Sequence, residues 1–581
     1  MAKQSVLEGR IGYEFIKAAP KSALDGNLGR IHLVALVFGR FDGSRAQNIF
    51  RCVLWRFGER PFDDFFANLQ ANMPLLLGWI PVDGGLLRFH KSPAPSGLIS
   101  GHILSHSPPA GVYSVRMQLT FRAAAFLPVV AACLCAATLP PPEYQKLVHD
   151  IYKQLIEINT SFSTGATTPA ARAMADRLRA EGFPASDIQV LGAADHKMNV
   201  VVRYHGTGQR KPLLLLAHLD VVEAKRADWS LDPFKLTEKD GFFYGRGTID
   251  DKAQAAMWVA NLIRYKREGF KPDRDLIVAL TADEEGGGPY NGAAWLVKNH
   301  RDLIDAEFCL NEGGWGDMVN GKRVANNVQV SEKYVANYRL EVKNKGGHSS
   351  LPVPDNAIYH LAEALVHISK YKFPVKTNEV TRAYLEQMAK VSTPAVATQM
   401  KAAAQGSAQA LEQLASSATA LNATLRTTCV ATMLDGGHAL NALPQTAGAT
   451  VNCRVLPDMK PEEVIGTLRQ VIGDEQVSVK PLSEVEAGPP SSLRPDLFKA
   501  ASRITDTMWP GTLTVPMMVM GATDGLYLRR AGIPTYGLQG IFIERDDFRA
   551  HGQDERLGIN EFYEGDGFLY ELVKSLAQPV P

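Results

Sequence analysis

Between Lys211 and Trp229 the chain reads KPLLLLAHLDVVEAKRADW. Four consecutive leucines, Leu213 to Leu216, do not alternate as a strand with one wet face would. They predict a parallel strand buried on both sides, in a sheet covered by helices. The run ends at Ala217 and gives way to His218, Leu219 and Asp220. Side chains alternate along a strand, so His218 and Asp220 point the same way at its carboxyl end, where open α/β sheets place their ligands. A metal-binding imidazole needs an acceptor for its second ring nitrogen, and a carboxylate two residues on suits that role. Alone, the triplet reads as a core histidine capped by a surface aspartate; its companions further along the chain change that reading.

The neighbouring segments supply the helices such a sheet needs. EYQKLVHDIYKQLIEI, from Glu143, has apolar residues at helical spacing, and Thr168-Pro169 opens a second helix with a cap residue followed by proline. Strands are expected at IQVLG, NVVVRYHG, the leucine run, DLIVALTADEE from Asp275 and AEFCLNEGG from Ala306. The helices AQAAMWVANLIRYKREGF and AAWLVKNH fall among them. This alternation predicts an α/β domain, a mostly parallel sheet flanked by helices. Around Tyr334 the pattern changes. YVANYRLEVKNKGGHSS alternates like a half-exposed strand, a helix follows from Ala357, and an Ala/Gln/Ser-rich helical stretch runs from about Thr381 to Leu425. Two strands, a helix and a last strand complete an α+β unit over 332–486, inserted between catalytic parts at 141–331 and 487–581.

Residues 1–116 show no repeat and no sustained period. Met117 then opens a segment with Arg122, an apolar run from Ala123 to about Leu139, small residues at Cys135-Ala136-Ala137 and a triple proline from Pro140. This is the layout of a secretory signal over 117–140, and the run is short for a membrane span. Val130-Ala131-Ala132-Cys133 also has the form of a bacterial lipoprotein box, which would lipidate Cys133. A signal has no use 116 residues into a chain. Translation is therefore expected to start at Met117, with 1–116 a non-native extension, and the mature protein to be exported, periplasmic or secreted, with no transmembrane span. Export would oxidise cysteines. Cys429 and Cys453 could then pair, yet Cys309 also remains after cleavage and the bridge is not favoured. A net charge of +1 sets up no field that would recommend nucleic acid or an anionic membrane.

Acidic residues recur at the predicted sheet ends. GRGTIDDK puts Asp250 and Asp251 in the turn before a helix, with Gly245 and Gly247 permitting close backbone approach. TADEEGGG ends a strand with Glu284 and Glu285, CLNEGGWG ends the next with Glu312, and RAHGQDERL brings His551 late in the chain. Two imidazoles with several carboxylates suit a divalent metal, and zinc takes this nitrogen and oxygen mixture readily. Each residue separately has a duller explanation as a loop acid, a helix cap or a surface histidine; their joint ordering is harder to dismiss.

HLD, GRGTIDDK, TADEEGGG, NEGG, GGHSS, GGHALNALP, GATDG and RAHGQDE, in that order, resemble the successive motifs of the co-catalytic zinc peptidase family of glutamate carboxypeptidase, succinyl-diaminopimelate desuccinylase, aminoacylase and carnosine dipeptidase. The resemblance runs from about Glu143 to the C-terminus. It implies a zinc-exopeptidase-like α/β domain with an inserted ferredoxin-like α+β lid, through which relatives commonly form homodimers. It further implies two zinc ions per chain, with cobalt or manganese able to substitute, sharing Asp250 as a bridge. His218, Asp250 and Glu312 would hold one ion, and Asp250, Glu285 and His551 the other. Asp220 would orient His218, Glu284 would be the general base, and His348 would stabilise the transition state. Asn441 and Arg454 would grip a substrate carboxylate, and Gly521 and Thr523 would line the same pocket. Ala253 stands where many relatives carry glycine, which removes no ligand.

The activity so implied is metal-dependent hydrolysis of a peptide or amide bond next to a free carboxylate, as in a carboxypeptidase or dipeptidase. N-acyl-amino-acid deacylation by the same machinery is the alternative. A catalytically dead binding homologue would have lost ligands or base, whereas all five ligand positions and Glu284 are present. Trp315 reads equally as a pocket wall and as a packing residue.

Overall fold

This structure, a computed structural model, describes residues 139–578 apart from 164, 287 and 486, and the backbone of six strands between residues 33 and 116. The expected signal up to residue 138, its cleavage triplet and Cys133 lie outside the described residues. The chain divides into two units, Met1–Ala132 and Cys133–Pro581. In the first, Leu33–Val37 pairs antiparallel with Arg51–Trp55. Ile80–Val82, Gly85–Lys91, Ile99–Ser105 and Val112–Arg116 form an antiparallel sheet in chain order.

The second unit is built on a ten-stranded sheet. We label its strands, and those of the inserted unit, in chain order. The first seven are β1 (Ile188–Ala194), β2 (Lys197–Tyr204), β3 (Leu213–His218), β4 (Leu276–Thr281), β5 (Phe308–Asn311), β6 (Gly316–Val319) and β7 (Lys322–Glu332). The inserted unit carries β8 (Tyr334–Lys343), β9 (Thr428–Gly436), β10 (Thr446–Val455) and β11 (Val477–Pro481). The large sheet resumes with β12 (Leu513–Val519), β13 (Thr535–Gly537) and β14 (Phe542–Glu544). Its order is β14-β6-β7-β13-β5-β3-β4-β2-β1, with β12 alongside β7. The four central strands β13, β5, β3 and β4 run parallel. The flanking pair β1 and β2 is antiparallel, because two residues between them are too few for a crossover.

The leucine run behaves as its composition demands. Leu213 and Leu215 face one core with Trp258 and Phe568, from the helices Lys252–Arg267 and Ile559–Leu576. Leu214 and Leu216 face the opposite core with Leu296 and Leu528. Each fully buried leucine contributes about 1.5–3 kcal/mol relative to exposure, so β3 anchors both layers at once. Trp258 adds a direct tie, its indole N–H donating to Leu216 O at 3.0 Å.

In the inserted unit β9-β10-β8-β11 form an antiparallel sheet. The helices Ala357–Lys370 and Pro461–Ile472 cover one face through Leu361, Ala364, Val464 and Leu468. The βαββαβ order is ferredoxin-like. Cys429 of β9 lies directly opposite Cys453 of β10, and the two form a disulfide. The sequence did not favour that bridge; the strand register brings it about.

The stretch from Thr381 to Leu425 is not one long helical arm on the lid. Four short helices, Glu379–Met388, Pro394–Ala404, Ala408–Ser417 and Thr419–Leu425, gather a core of their own with Ala325 of β7 and Val515 of β12. Pro394 and Gly406 stand at the first two breaks and Ala418 at the third, and the apolar faces dock on the large sheet. The outer edge strand β9 stays exposed, with Val430, Met433 and Leu434 open to solvent.

Candidate metal centre

Parallel pairing explains why the acids meet. His218 of β3 lies opposite Thr281 of β4, so the segments that leave these strands, Leu219-Asp220 and Ala282 to Glu285, emerge side by side. β5, on the other side of β3, ends at Asn311 and delivers Glu312 next to them. The turn before Lys252–Arg267 supplies Asp250, and the loop after β14 supplies His551. His218 Nε2 stands 3.0 Å from Asp250 Oδ1 and 3.9 Å from Glu312 Oε1. His551 Nε2 stands 3.1 Å from Asp250 Oδ2 and 2.8 Å from Glu285 Oε1. Asp250 thus touches an imidazole with each of its oxygens. Gly247 holds φ at +87°, and a Cβ there would meet Val221 at 2.8 Å, so the Asp250 turn needs glycine at that position.

Asp220 has a larger part than expected. Its backbone carbonyl lies 3.0 Å from His218 Nδ1, while its carboxylate stands 3.7 Å away. The carboxylate instead accepts the backbone N–H of Glu284 at 3.1 Å and of Glu285 at 3.0 Å. One buried acid therefore fixes two consecutive glutamates. Glu285 turns to His551, whereas the carboxylate of Glu284 has no hydrogen-bond partner among the described residues. Beneath this loop Lys197 and Asp283 form a buried ion pair at 2.8 Å.

Asp251 was not expected at the site. It is fully buried, and one of its oxygens lies within 4.8 Å of donor atoms of both His218 and Glu312; His218, Asp250 and Glu285 offer a second such trio. Asp251 Oδ2 has no hydrogen-bond partner. Burial pushes Glu284, Glu312 and Asp251 well above the usual carboxyl range, and Asp220 up to about 6. Burial would raise Asp250 too, but hydrogen bonds from His218 and His551 outweigh it and hold this carboxyl below its usual range. Hydrogen bonds to Asp250 and Glu285 raise His551 to about 10. Six carboxyls crowd two imidazoles, an arrangement that needs positive charge, and the nitrogen and oxygen donors fit zinc-type divalent cations.

The remaining candidates make no side-chain hydrogen bond or ion pair with this cluster among the described residues. His348 pairs with Ala442 in a two-stranded ribbon, and Ser349 N donates to Asn441 O at 3.0 Å, so His348 and Asn441 share one structural element. Both are exposed, and His348 Nδ1 lies 2.7 Å from Ser350 Oγ and accepts the Ser350 backbone N–H at 3.2 Å. Arg454 is half-buried on β10, and its guanidinium has no partner among the described residues. Gly521 is half-buried, but Thr523 is buried with its hydroxyl donating to Glu332 Oε2 at 2.8 Å. Thr523 is thus engaged inside the protein. Trp315 packs against the main core and against Phe548, ring centroids 4.7 Å apart.

Known proteins are similar to this chain in sequence and in fold. A family model described as peptidase family M20/M25/M40 matches residues 214–575. Human N-fatty-acyl-amino acid synthase/hydrolase PM20D1 is 28% identical over 374 residues, 63% of this chain and 74% of that protein. Aminoacylase-1 of Pongo abelii is 25% identical over 445 residues, 75% and 97% of the two chains. Among solved structures, human carnosine dipeptidase 1 superposes with a TM-score of 0.54 at 15% identity, covering 76% of this chain and all of that one. The Bacillus subtilis YXEP protein, a dinuclear metal-binding peptidase, superposes with a TM-score of 0.50 at 12% identity, covering 75% and 99%. The chain belongs to peptidase family M20/M25/M40 and is an enzyme of the metallopeptidase and hydrolase type.

Proposed function

We propose that the protein hydrolyses a peptide or amide bond next to a free carboxylate, as a carboxypeptidase or dipeptidase does, with Glu284 as general base. The observation that carries this reading is the geometry around Asp220. It holds Glu284 and Glu285 adjacent, one engaged with His551 and the other left free. His218, Asp250 and Glu312 would hold one divalent cation and Asp250, Glu285 and His551 a second, with Asp251 in reach of the first. Zinc is the native choice, and cobalt or manganese are substitutes. When bound, such a pair supplies Lewis-acid polarisation and an acidified water. Glu284 then accepts the proton of the attacking water and returns it to the leaving amine nitrogen. His348 stabilises the oxyanion, and Arg454 with Asn441 takes the substrate carboxylate, preferably bidentate. Gly521 lines the pocket, while Thr523 contributes through Glu332.

N-acyl-amino-acid deacylation is the second reading, favoured by the similarity to N-fatty-acyl-amino acid synthase/hydrolase and to aminoacylase-1. Its substrate presents the same amide and carboxylate. Zinc-loaded protein offered a panel of dipeptides and N-acyl amino acids separates the two; turnover of neither class refutes the proposal. The exposed edge strand β9 supports a homodimer formed by strand pairing across a two-fold axis. The Cys429–Cys453 disulfide supports export, with the mature chain starting near Thr138 or at a lipidated Cys133. Among the described residues no helix is long and apolar enough to cross a membrane.

A further inference from the structure

We infer that Glu555, clamped to Arg246, is a positioning residue that sets Asp250 and His551 at metal-binding distance from one another; the inference rests on the metal centre proposed above. Glu555 is fully buried in the main body of the protein, four residues beyond His551. Its Oε1 accepts the backbone N–H of Ile249 at 2.7 Å and of Asp250 at 3.3 Å. Its Oε2 accepts the Arg246 guanidinium at 2.6 Å and the N–H of Gly247 at 3.2 Å. Arg246 reaches back with its second arm to Gly552 O at 2.9 Å, next to His551, and Gly245 N donates to Glu555 O at 3.1 Å. The turn that carries Asp250 and the loop that carries His551 are some three hundred residues apart in sequence. Six hydrogen bonds through one carboxylate, one guanidinium and one peptide join them.

The chemistry suits this task. The Glu555 carboxylate meets four N–H donors and no competing acceptor, and its ionised form satisfies them best. His551 holds φ at +63°, a left-handed conformation that a histidine keeps only where its surroundings over-determine it. Arg246 on Gly552 and Glu555 on Asp250 restrain that loop from both sides. An anchor serving stability alone could grip any part of the turn. This one grips the amide of the residue whose two oxygens meet both imidazoles.

The test uses the full chain stripped of metal, Zn²⁺ added in chelator competition, and thermal unfolding of the same samples. Glu555→Gln places an amide N–H against one of the donors and should weaken zinc binding about 10- to 100-fold, the usual cost of disturbing a ligand's support. Arg246→Lys keeps the charge, loses one of the two arms and should weaken binding in the same direction by less. Asp566→Asn removes an equally buried carboxylate elsewhere and should leave zinc affinity at the parent value whatever happens to unfolding. Parent-like affinity in both Glu555→Gln and Arg246→Lys overturns the inference, as does an equal loss in Asp566→Asn. If Glu555→Gln does not fold, parent-like affinity in Arg246→Lys overturns it alone. A parent chain that binds no divalent cation refutes the metal centre itself, a failure distinct from a parent that binds zinc and a Glu555→Gln variant that binds it as well.

Discussion

The metal centre and the His348 ribbon carry the two halves of one proposed chemistry, and they are built in opposite ways. At the sheet ends several acids are held by partners from other segments, and the Glu284 carboxylate is left free: Asp220 is held by two amides, Asp250 by two imidazoles and Asp283 by Lys197. On the inserted unit His348, Asn441 and Arg454 have almost nothing to hold them, and the edge strand beside them faces solvent. The contrast separates what one chain assembles alone from what awaits a further step. Ligands crowded in low dielectric must be fixed beforehand, since each unpaired buried charge is costly. Groups that meet only the substrate can stay solvated until the inserted unit closes, or until a second copy supplies them.

Substitutions on either side of this contrast should differ in kind. Glu284→Gln keeps the shape and the amide contacts to Asp220 but removes the base, and kcat should fall about 10²–10⁴-fold with metal content unchanged. His348→Ala should lower kcat about 10²–10³-fold, again with full metal content. Mixing the inactive Glu284→Gln and His348→Ala chains then asks where His348 works. Partial recovery in heterodimers places it across the two-fold axis; no recovery despite shown subunit exchange leaves closure within one chain. Arg454→Met should act mainly on KM, raising it about 10- to 100-fold for carboxylate-bearing substrates and little for amidated ones, through loss of a charge-assisted bond of about 1.5–3 kcal/mol. Ser350→Ala removes the hydroxyl that meets His348 Nδ1 while the Ser350 backbone N–H stays in place, and should lower kcat less than about tenfold, one neutral hydrogen bond being worth about 0.5–1.5 kcal/mol. A larger effect from Ser350 than from Arg454 would break the comparison, because it would make the ribbon as preassembled as the centre.

Much of the centre could be read from the sequence because its side chains follow strand ends. The leucine run announces a doubly covered strand, and once neighbouring strands are parallel their termini must deliver His218, Glu284, Glu285 and Glu312 to one edge. What escaped reading depends on partners that leave no mark in sequence. Asp220 caps backbone amides, which any residue provides. Asp251 reads as one more acid in the turn before a helix until its burial beside His218 is seen. Glu555 reads as one more charge in a polar loop, HGQDER. Cys429 and Cys453 meet because the antiparallel register of β9 on β10 sets them directly opposite each other. The docking of the helical insertion on β7 and β12 likewise follows from tertiary packing, since its short apolar faces would fit any flat neighbour.

Metal analysis of the purified chain beside Asp250→Ala and His551→Ala tests the shared centre most directly. With Asp250 bridging, the parent should carry two zinc ions per chain, Asp250→Ala should lose both or hold them only weakly, and His551→Ala should lose mainly one. Two tightly bound zinc ions in Asp250→Ala would contradict the account.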